Sequence, residues 1–238
     1  MPLVLGVTGS IATGKSLLCR HLVERHGAIH GDADKIVHRM FDPGKPGFDN
    51  AVKEFGDEII GEDGYIDRGK VGAIVFGDRE AMGRWTKAIG DIGAEMEQTI
   101  EGWRSELPDD AIAILEAVNL IEAGYSAWCD ATWLVAADDD IARPRLMERN
   151  DFSEQEANQR LASARDYKLR APAADRLFMN NGELDAFIAE ADTAIVETRE
   201  AFAAGTLPPT NYTAWREEQD RIRDEEKAKE QAEAAASD

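Results

Sequence analysis

Residues 6–16 read "GVTGSIATGKS". Within them Gly9, Ser10, Ile11, Ala12, Thr13, Gly14, Lys15 and Ser16 match the pattern G-x-x-x-x-G-K-[ST]. Each part has a physical task. Glycine lets the backbone curl until consecutive N–H groups point inward at phosphate oxygens. Lys15 opens a helix whose N-terminus already favours anions, and its ammonium reaches β- and γ-phosphates. The Ser16 hydroxyl is placed to ligate Mg²⁺. The stretch from Gly9 to Leu17 is therefore the expected binding segment for a nucleoside triphosphate.

Working outward, "LVLGV" (3–7) before the loop reads as a buried strand, and the run from Lys15 to Gly27 reads as a helix. "AIHGDAD" (28–34) is a short strand ending in acids, and "ADKIVHRMF" (33–41) is helical. "DPGKPG" (42–47) breaks that helix. "AIAILEAV" (111–118) and "ATWLVAA" (131–137) are further apolar strands, and "DRLFMNNG" (175–182) holds a short last one. "DDDIARPRLMERN" (138–150) is a helix, expected to begin late because Pro144 suits only a first turn. Ser153 and Glu156 form a capping-box pattern, and residues 183–202 form a long amphipathic helix. "TLPPTNY" (206–212) reads as a linker, and the Glu-, Lys- and Ala-rich tail after it as solvated helix or disorder. Strands alternating with helices behind a phosphate loop predict an α/β fold of P-loop type, a parallel sheet with helices on both faces. Ligands bind such sheets at the carboxyl ends of the strands.

The 238 residues carry 27 Lys and Arg against 47 Asp and Glu, a formal net charge of −20. This acidity speaks against nucleic acid or an anionic membrane as a partner. It also requires any phosphate site to be assembled locally from cations and N–H groups. No apolar run reaches the roughly 20 residues of a membrane span, and "MPLVLGV" is too short for a signal peptide, so the expected location is cytoplasmic. Cys19 and Cys129 fit neither a disulfide framework nor a zinc site and read as buried small residues.

The loop names a nucleoside triphosphate but no reaction. The D-x-x-G and N-K-x-D motifs of GTPases and the L-S-G-G-Q signature of transporter ATPases are absent, which leaves mainly small-molecule and nucleotide kinases. A kinase acting on an alcohol needs a carboxylate to orient the hydroxyl and take its proton. Asp32 and Asp34, after the second strand, are the candidates, against the alternative that either merely caps a helix. Cations gather at Arg143, Arg145 and Arg149 and again at Arg160, Arg165, Lys168 and Arg170, where a closing lid would carry them to phosphates.

Taken together, T-G-S-I-A-T-G-K-S, the D-A-D pair and "DPGKPGFDNAVKEFGDEIIGEDGYIDRGKVGAIVFGDREA" (42–81) resemble the dephospho-coenzyme A kinase family. The middle stretch is the more telling part, since no phosphate loop requires it. The resemblance runs from residue 3 to about 204. It implies transfer of the ATP γ-phosphoryl group to the ribose 3′-hydroxyl of dephospho-CoA. It implies Asp34 as catalytic carboxylate beside Lys15, and Arg145 and Arg149 as the arginines of the lid stretch. Arg149 is the one expected to be catalytic. With Asp34 and Arg165, Arg149 would also meet the substrate. It places Asn181 and Gly182 near the adenine side. It divides the chain into a core (1–41 and 109–204, lid about 150–170), an acceptor-binding helical insertion (42–108) and a linker with charged tail (205–238). Ser10 stands where the family has Gly, Gly90-Asp91 where it has His-Pro, Val118-Asn119 within its P-L-L segment, and Arg165 in place of a lid glutamine. These departures sit mostly on the acceptor side. They keep open another small alcohol or nucleotide as acceptor, or a nucleotide-binding regulatory protein with little turnover.

Overall fold

The computed structural model describes residues 1–236, with side chains through residue 229. The chain divides into two compact units, Met1–His30 with Arg104 onward, and Gly31–Trp103.

The larger unit is built on a sheet in the order β2-β3-β1-β4-β5. The strands are β1 (Leu3–Gly9), β2 (Ile29–Asp32), β3 (Ile112–Glu116), β4 (Ala131–Ala136) and β5 (Arg176–Met179). β1 runs parallel to both β3 and β4, and β4 parallel to β5. All seven residues of β1, five of β3 and six of β4 are buried, as expected of strands covered on both faces. On one face, Leu18 and Leu22 of α1 (Lys15–His26) and Phe187, Ala191 and Ile195 of α10 (Leu184–Ala203) pack on Leu5, Val7, Trp133 and Phe178. The chain moves to one side of β1 for β2 and β3 and to the other for β4 and β5. The carboxyl end of β1 is therefore a topological switch point, and the glycine loop leaves from it.

Between β4 and β5 lie α7 (Asp139–Asn150), α8 (Glu154–Ala162) and α9 (Tyr167–Arg170). α7 does not begin late: Pro144 lies inside it, and the first turn is closed by Ile141 and Ala142 bonding back to Asp138 O. Asn181 fixes that turn, its Oδ1 accepting from Asp138 N and its Nδ2 donating to Asp138 Oδ2, each at 2.8 Å. The acids Asp139 and Asp140 complement the helix dipole. These contacts outweigh the one backbone bond that Pro144 cannot donate. The capping box is present, with Ser153 and Glu156 bonded reciprocally.

The smaller unit holds α2 (Ala33–Met40), α3 (Pro46–Phe55), α4 (Arg68–Val75), α5 (Arg79–Ile89) and most of α6 (Ile92–Glu106). Its own core includes Phe41, Ile59, Ile66, Val71, Val75 and Ile89. Two acids of its sequence, Asp67 and Asp78, are helix caps. Asp67 Oδ1 accepts from Gly69 N and Lys70 N, and Asp78 Oδ1 from Glu80 N and Ala81 N. Such caps contribute about 1 kcal/mol each. Gly90, at φ 110, makes the sharp break between α5 and α6.

The tail forms α11 (Asn211–Ala236). It begins inside the expected linker, whose last residue is anchored: Tyr212 is 4% exposed and packs with Ile121 and Ala173, and Trp215 lies against them. The Asp175 carboxylate accepts from Thr132 N and Asn211 N, both at 2.7 Å, joining β4 to the tail. Among the described residues no helix is long and apolar enough to cross a membrane. Tyr212→Ala is expected to destabilise the fold by about 3 kcal/mol, as large-to-small core changes do. Chemical denaturation measures it, and a loss below about 1 kcal/mol would show that the tail does not brace the core.

Candidate active site

The loop after β1 is held in a conformation that few sequences tolerate. Ala12 has φ 61 and Gly14 φ 99, in the left-handed region that glycine enters without a Cβ clash. A Cβ at Gly9 would lie 2.3 Å from Val135 O, so β1 can meet β4 there only through glycine. A Cβ at Gly14 would lie 2.3 Å from Asn180 Nδ2. That amide donates to Thr13 O at 2.9 Å. Arg145 Nη1 donates to Asn180 O at 2.9 Å, so α7 holds the residue that holds the loop. Within the loop, Thr13 Oγ1 donates to Ser10 O at 3.0 Å.

Below the loop sits Glu116, the last residue of β3, paired with Val7 of β1 and buried. Its Oε1 accepts from Lys15 Nζ at 2.8 Å and from Ser16 Oγ at 2.6 Å. Its Oε2 accepts from His30 Nε2 at 2.8 Å. Burial opposes the charge of this carboxyl. The His30 hydrogen bond, the Lys15 ammonium and the Ser16 hydroxyl outweigh it and hold the group far below the ordinary carboxylate range.

Two hollows flank the loop. One, of about 430 Å³, is lined by Ser10, Ile11, Thr13, Asp138, Leu161, Arg165 and Lys168 among others. The other, of about 300 Å³, is lined by Gly14, Leu17, Arg145, Asn180, Gly182 and Leu184. Both fall in the size range of small-ligand sites, about 300–1,000 Å³.

A family model described as "Dephospho-CoA kinase" matches residues 3–186. The chain belongs to the dephospho-CoA kinase family. A dephospho-CoA kinase of Symbiobacterium thermophilum is 36% identical over 193 residues, 80% of this chain and 79% of that relative. One of Oceanobacillus iheyensis is 34% identical over 191 residues, 78% of this chain and 92% of that relative. Among solved structures, a dephospho-CoA kinase from Campylobacter jejuni matches with TM-score 0.64 at 24% identity, over 84% of this chain and 99% of that one. A Thermus thermophilus protein matches with TM-score 0.68 at 24% identity, over 82% and 97%. These two likenesses speak for the fold.

The residues singled out from the sequence fall into four places. Gly9 to Leu17 form the loop and the start of α1, with Lys15 and Ser16 meeting at Glu116. Arg165 is exposed and paired with Glu122 at 3.1 Å, and its backbone O accepts from Ser10 Oγ at 3.0 Å. The serine in the glycine position thus ties the loop to the segment between α8 and α9. Arg149 lies exposed near the end of α7, its Nε donating to Asn150 Oδ1 at 2.9 Å. Asp32 and Asp34 belong to the smaller unit. Asp32 Oδ1 accepts from Asp34 N and Lys35 N, so Asp32 is the helix cap. Asp34 is exposed in the first turn of α2.

Arg170, grouped with the mobile lid cations by sequence, is instead a buried brace. Its Nη2 donates to Thr8 Oγ1 at 2.7 Å and Val118 O at 2.6 Å, and Glu122 faces the same guanidinium. Sequence reading passed over Glu116, His30 and Asn180. The acid inside the apolar run "AIAILEAV" was the available signal for Glu116: a charge that interrupts a buried apolar run points to a site.

Because the native state holds Glu116 below its unfolded value, its stabilisation is fully present above the ordinary carboxylate range and is lost as pH falls. Glu116→Gln is expected to lower stability by about 3 kcal/mol at neutral pH through the uncompensated Lys15. It is also expected to flatten the decline between about pH 6 and pH 3. Urea titrations across that range read both, and equal slopes in the two proteins would contradict the assignment. Ser10→Gly is expected to change global stability by less than about 1 kcal/mol while speeding amide exchange in residues 163–168 several-fold. Unchanged exchange there would show that the Ser10 contact does not restrain the segment.

Proposed function

We propose that this chain phosphorylates the ribose 3′-hydroxyl of dephospho-CoA with ATP, giving CoA and ADP, the last step of CoA synthesis. The observation that carries this reading is the family match across residues 3–186, which takes in the loop, Glu116, Asp34 and the whole helical unit. The N–H groups of Gly9–Ser16 cradle the phosphates, and Lys15 turns from Glu116 towards the β- and γ-phosphates. The nucleotide base occupies the hollow beside Gly14, Leu17 and Gly182.

Ser16 Oγ and Glu116 Oε1 are hard oxygen donors side by side, a set that suits Mg²⁺. Bound there, Mg²⁺ supplies neutralisation of phosphate charge. In the transfer, the 3′-hydroxyl oxygen bonds to the γ-phosphorus. The bond from that phosphorus to the bridging oxygen of ADP breaks, and the hydroxyl proton goes to the Asp34 carboxylate. Asp34 is suited to this because Asp32 takes over the capping duty and leaves it exposed. Arg149 and Arg165 bring positive charge to the transferring and acceptor phosphates, and the helical unit, anticipated at 42–108, binds the acceptor.

The test is ADP release with dephospho-CoA, run on the wild type and Asp34→Asn. The wild type is expected to turn over well above its ATP-only rate. Asp34→Asn is expected to lose about 100-fold or more in kcat while still binding ATP by calorimetry. No stimulation by dephospho-CoA overturns the reading, and an active Asp34→Asn enzyme removes Asp34 from the chemistry.

A further inference from the structure

α1 carries His21 and His26 towards the end remote from the loop, and α10 brings Asp192 up to both. His21 Nε2 lies 2.6 Å and His26 Nε2 2.7 Å from one oxygen, Asp192 Oδ1. The two imidazoles are 15% and 17% exposed and the carboxylate 40%. The three ligating atoms fall within 4.8 Å of one another.

We propose that His21, His26 and Asp192 form a binding site for one divalent transition cation of the zinc class. Two imidazole nitrogens and a carboxylate oxygen are a zinc ligand set, and the exposed side of Asp192 leaves a position for water. Tetrahedral ligation at about 2.1 Å spaces ligand atoms about 3.4 Å apart. Each nitrogen-to-oxygen distance must therefore open by less than about 1 Å, which the partly exposed Asp192 side chain reaches by a small rotation.

The surroundings favour a cation. His26 is the last residue of α1, where the helix dipole presents its negative end. The Asp192 carboxylate faces both imidazoles with the same oxygen, so the three side chains converge on one point. Imidazole ligands select zinc, nickel, cobalt or copper over magnesium. The site is also separate from the phosphate loop. His21 and His26 stand about 8 and 15 Å along the helix from Ser16. Asp192 lies beyond residue 186, where the family match ends. A cation here would tie the far end of the loop helix to α10.

Two neutral imidazoles donating to one carboxylate make the same contacts without a metal, and zinc separates the two accounts. The experiment is calorimetry and thermal unfolding of the full chain with Zn²⁺ alone, with Mg²⁺ as control. The variants are His26→Gln, which keeps a hydrogen-bonding side chain, and His21→Ala with His26→Ala together. The wild type is expected to bind one Zn²⁺, and its Tm to rise by about 5–10 °C at a hundredfold excess over Kd, with no matching response to Mg²⁺. His26→Gln is expected to weaken binding at least tenfold, and the double variant to abolish it. Absence of binding by the wild type overturns the proposal. So does equal affinity in the double variant, which would move the metal elsewhere, such as to Cys19, His30 and Glu116.

Discussion

Glu116 is a buried anion, and it stays charged because three donors converge on it. Lys15 and Ser16 come from the first turn of α1, His30 from β2, and the carboxylate itself from the end of β3. One side chain thus ties two strands and the loop helix into one corner. It also fixes the pairing of the sheet. β1 and β3 are buried on both faces, so hydrophobicity alone specifies their register weakly. A slip of β3 would carry a carboxylate away from its donors into an apolar layer, which costs several kcal/mol. The register that sets Val7 opposite Glu116 is the one that satisfies the charge.

The loop above Glu116 has a second support that works through shape. Gly14 lacks a Cβ, Asn180 fills the space where one would be, and Arg145 holds Asn180 from α7. β5 ends at Met179, directly before this asparagine, so the last strand exists partly to deliver an amide to the loop. On the other flank, Ser10 and Glu122 both engage Arg165, one through its backbone and one through its side chain. A contact network also surrounds the chain after β3. Val118 O receives both Thr8 and the buried Arg170.

The sequence was most legible where function and local geometry coincide. The glycine loop, the apolar runs that became strands and the acidic close of β2 follow from local spacing. Glu116 and Asn180 were harder to read: an acid in an apolar run hints at a site, but the partners of the two residues lie 35 to 167 positions away, and no periodicity encodes such pairings. The late start expected for α7 reflected proline's local rule, and Asn181, forty-odd residues later, overrode it. The acidic tail helix concealed its anchor: its composition says solvent, whereas Tyr212 is buried and Trp215 packs beside it. The acids of the family-distinctive stretch show the reverse. Asp67 and Asp78 lie in the stretch that carried the resemblance, and the structure gives them the ordinary work of starting helices.

β1 is made first and lies at the centre of the sheet, with neighbours that begin at Ile112 and Ala131. The strand that founds the fold must therefore wait, through the synthesis of the entire helical unit, before either partner exists. That unit has its own core, so the intervening chain can condense in the interval instead of remaining an open loop. Closure entropy grows only with the logarithm of loop length. Lengthening or trimming the helical unit therefore bears little on the sheet's equilibrium stability. It bears on the time during which an apolar central strand waits unpaired, and so on the rate of folding and the exposure of the nascent chain to aggregation.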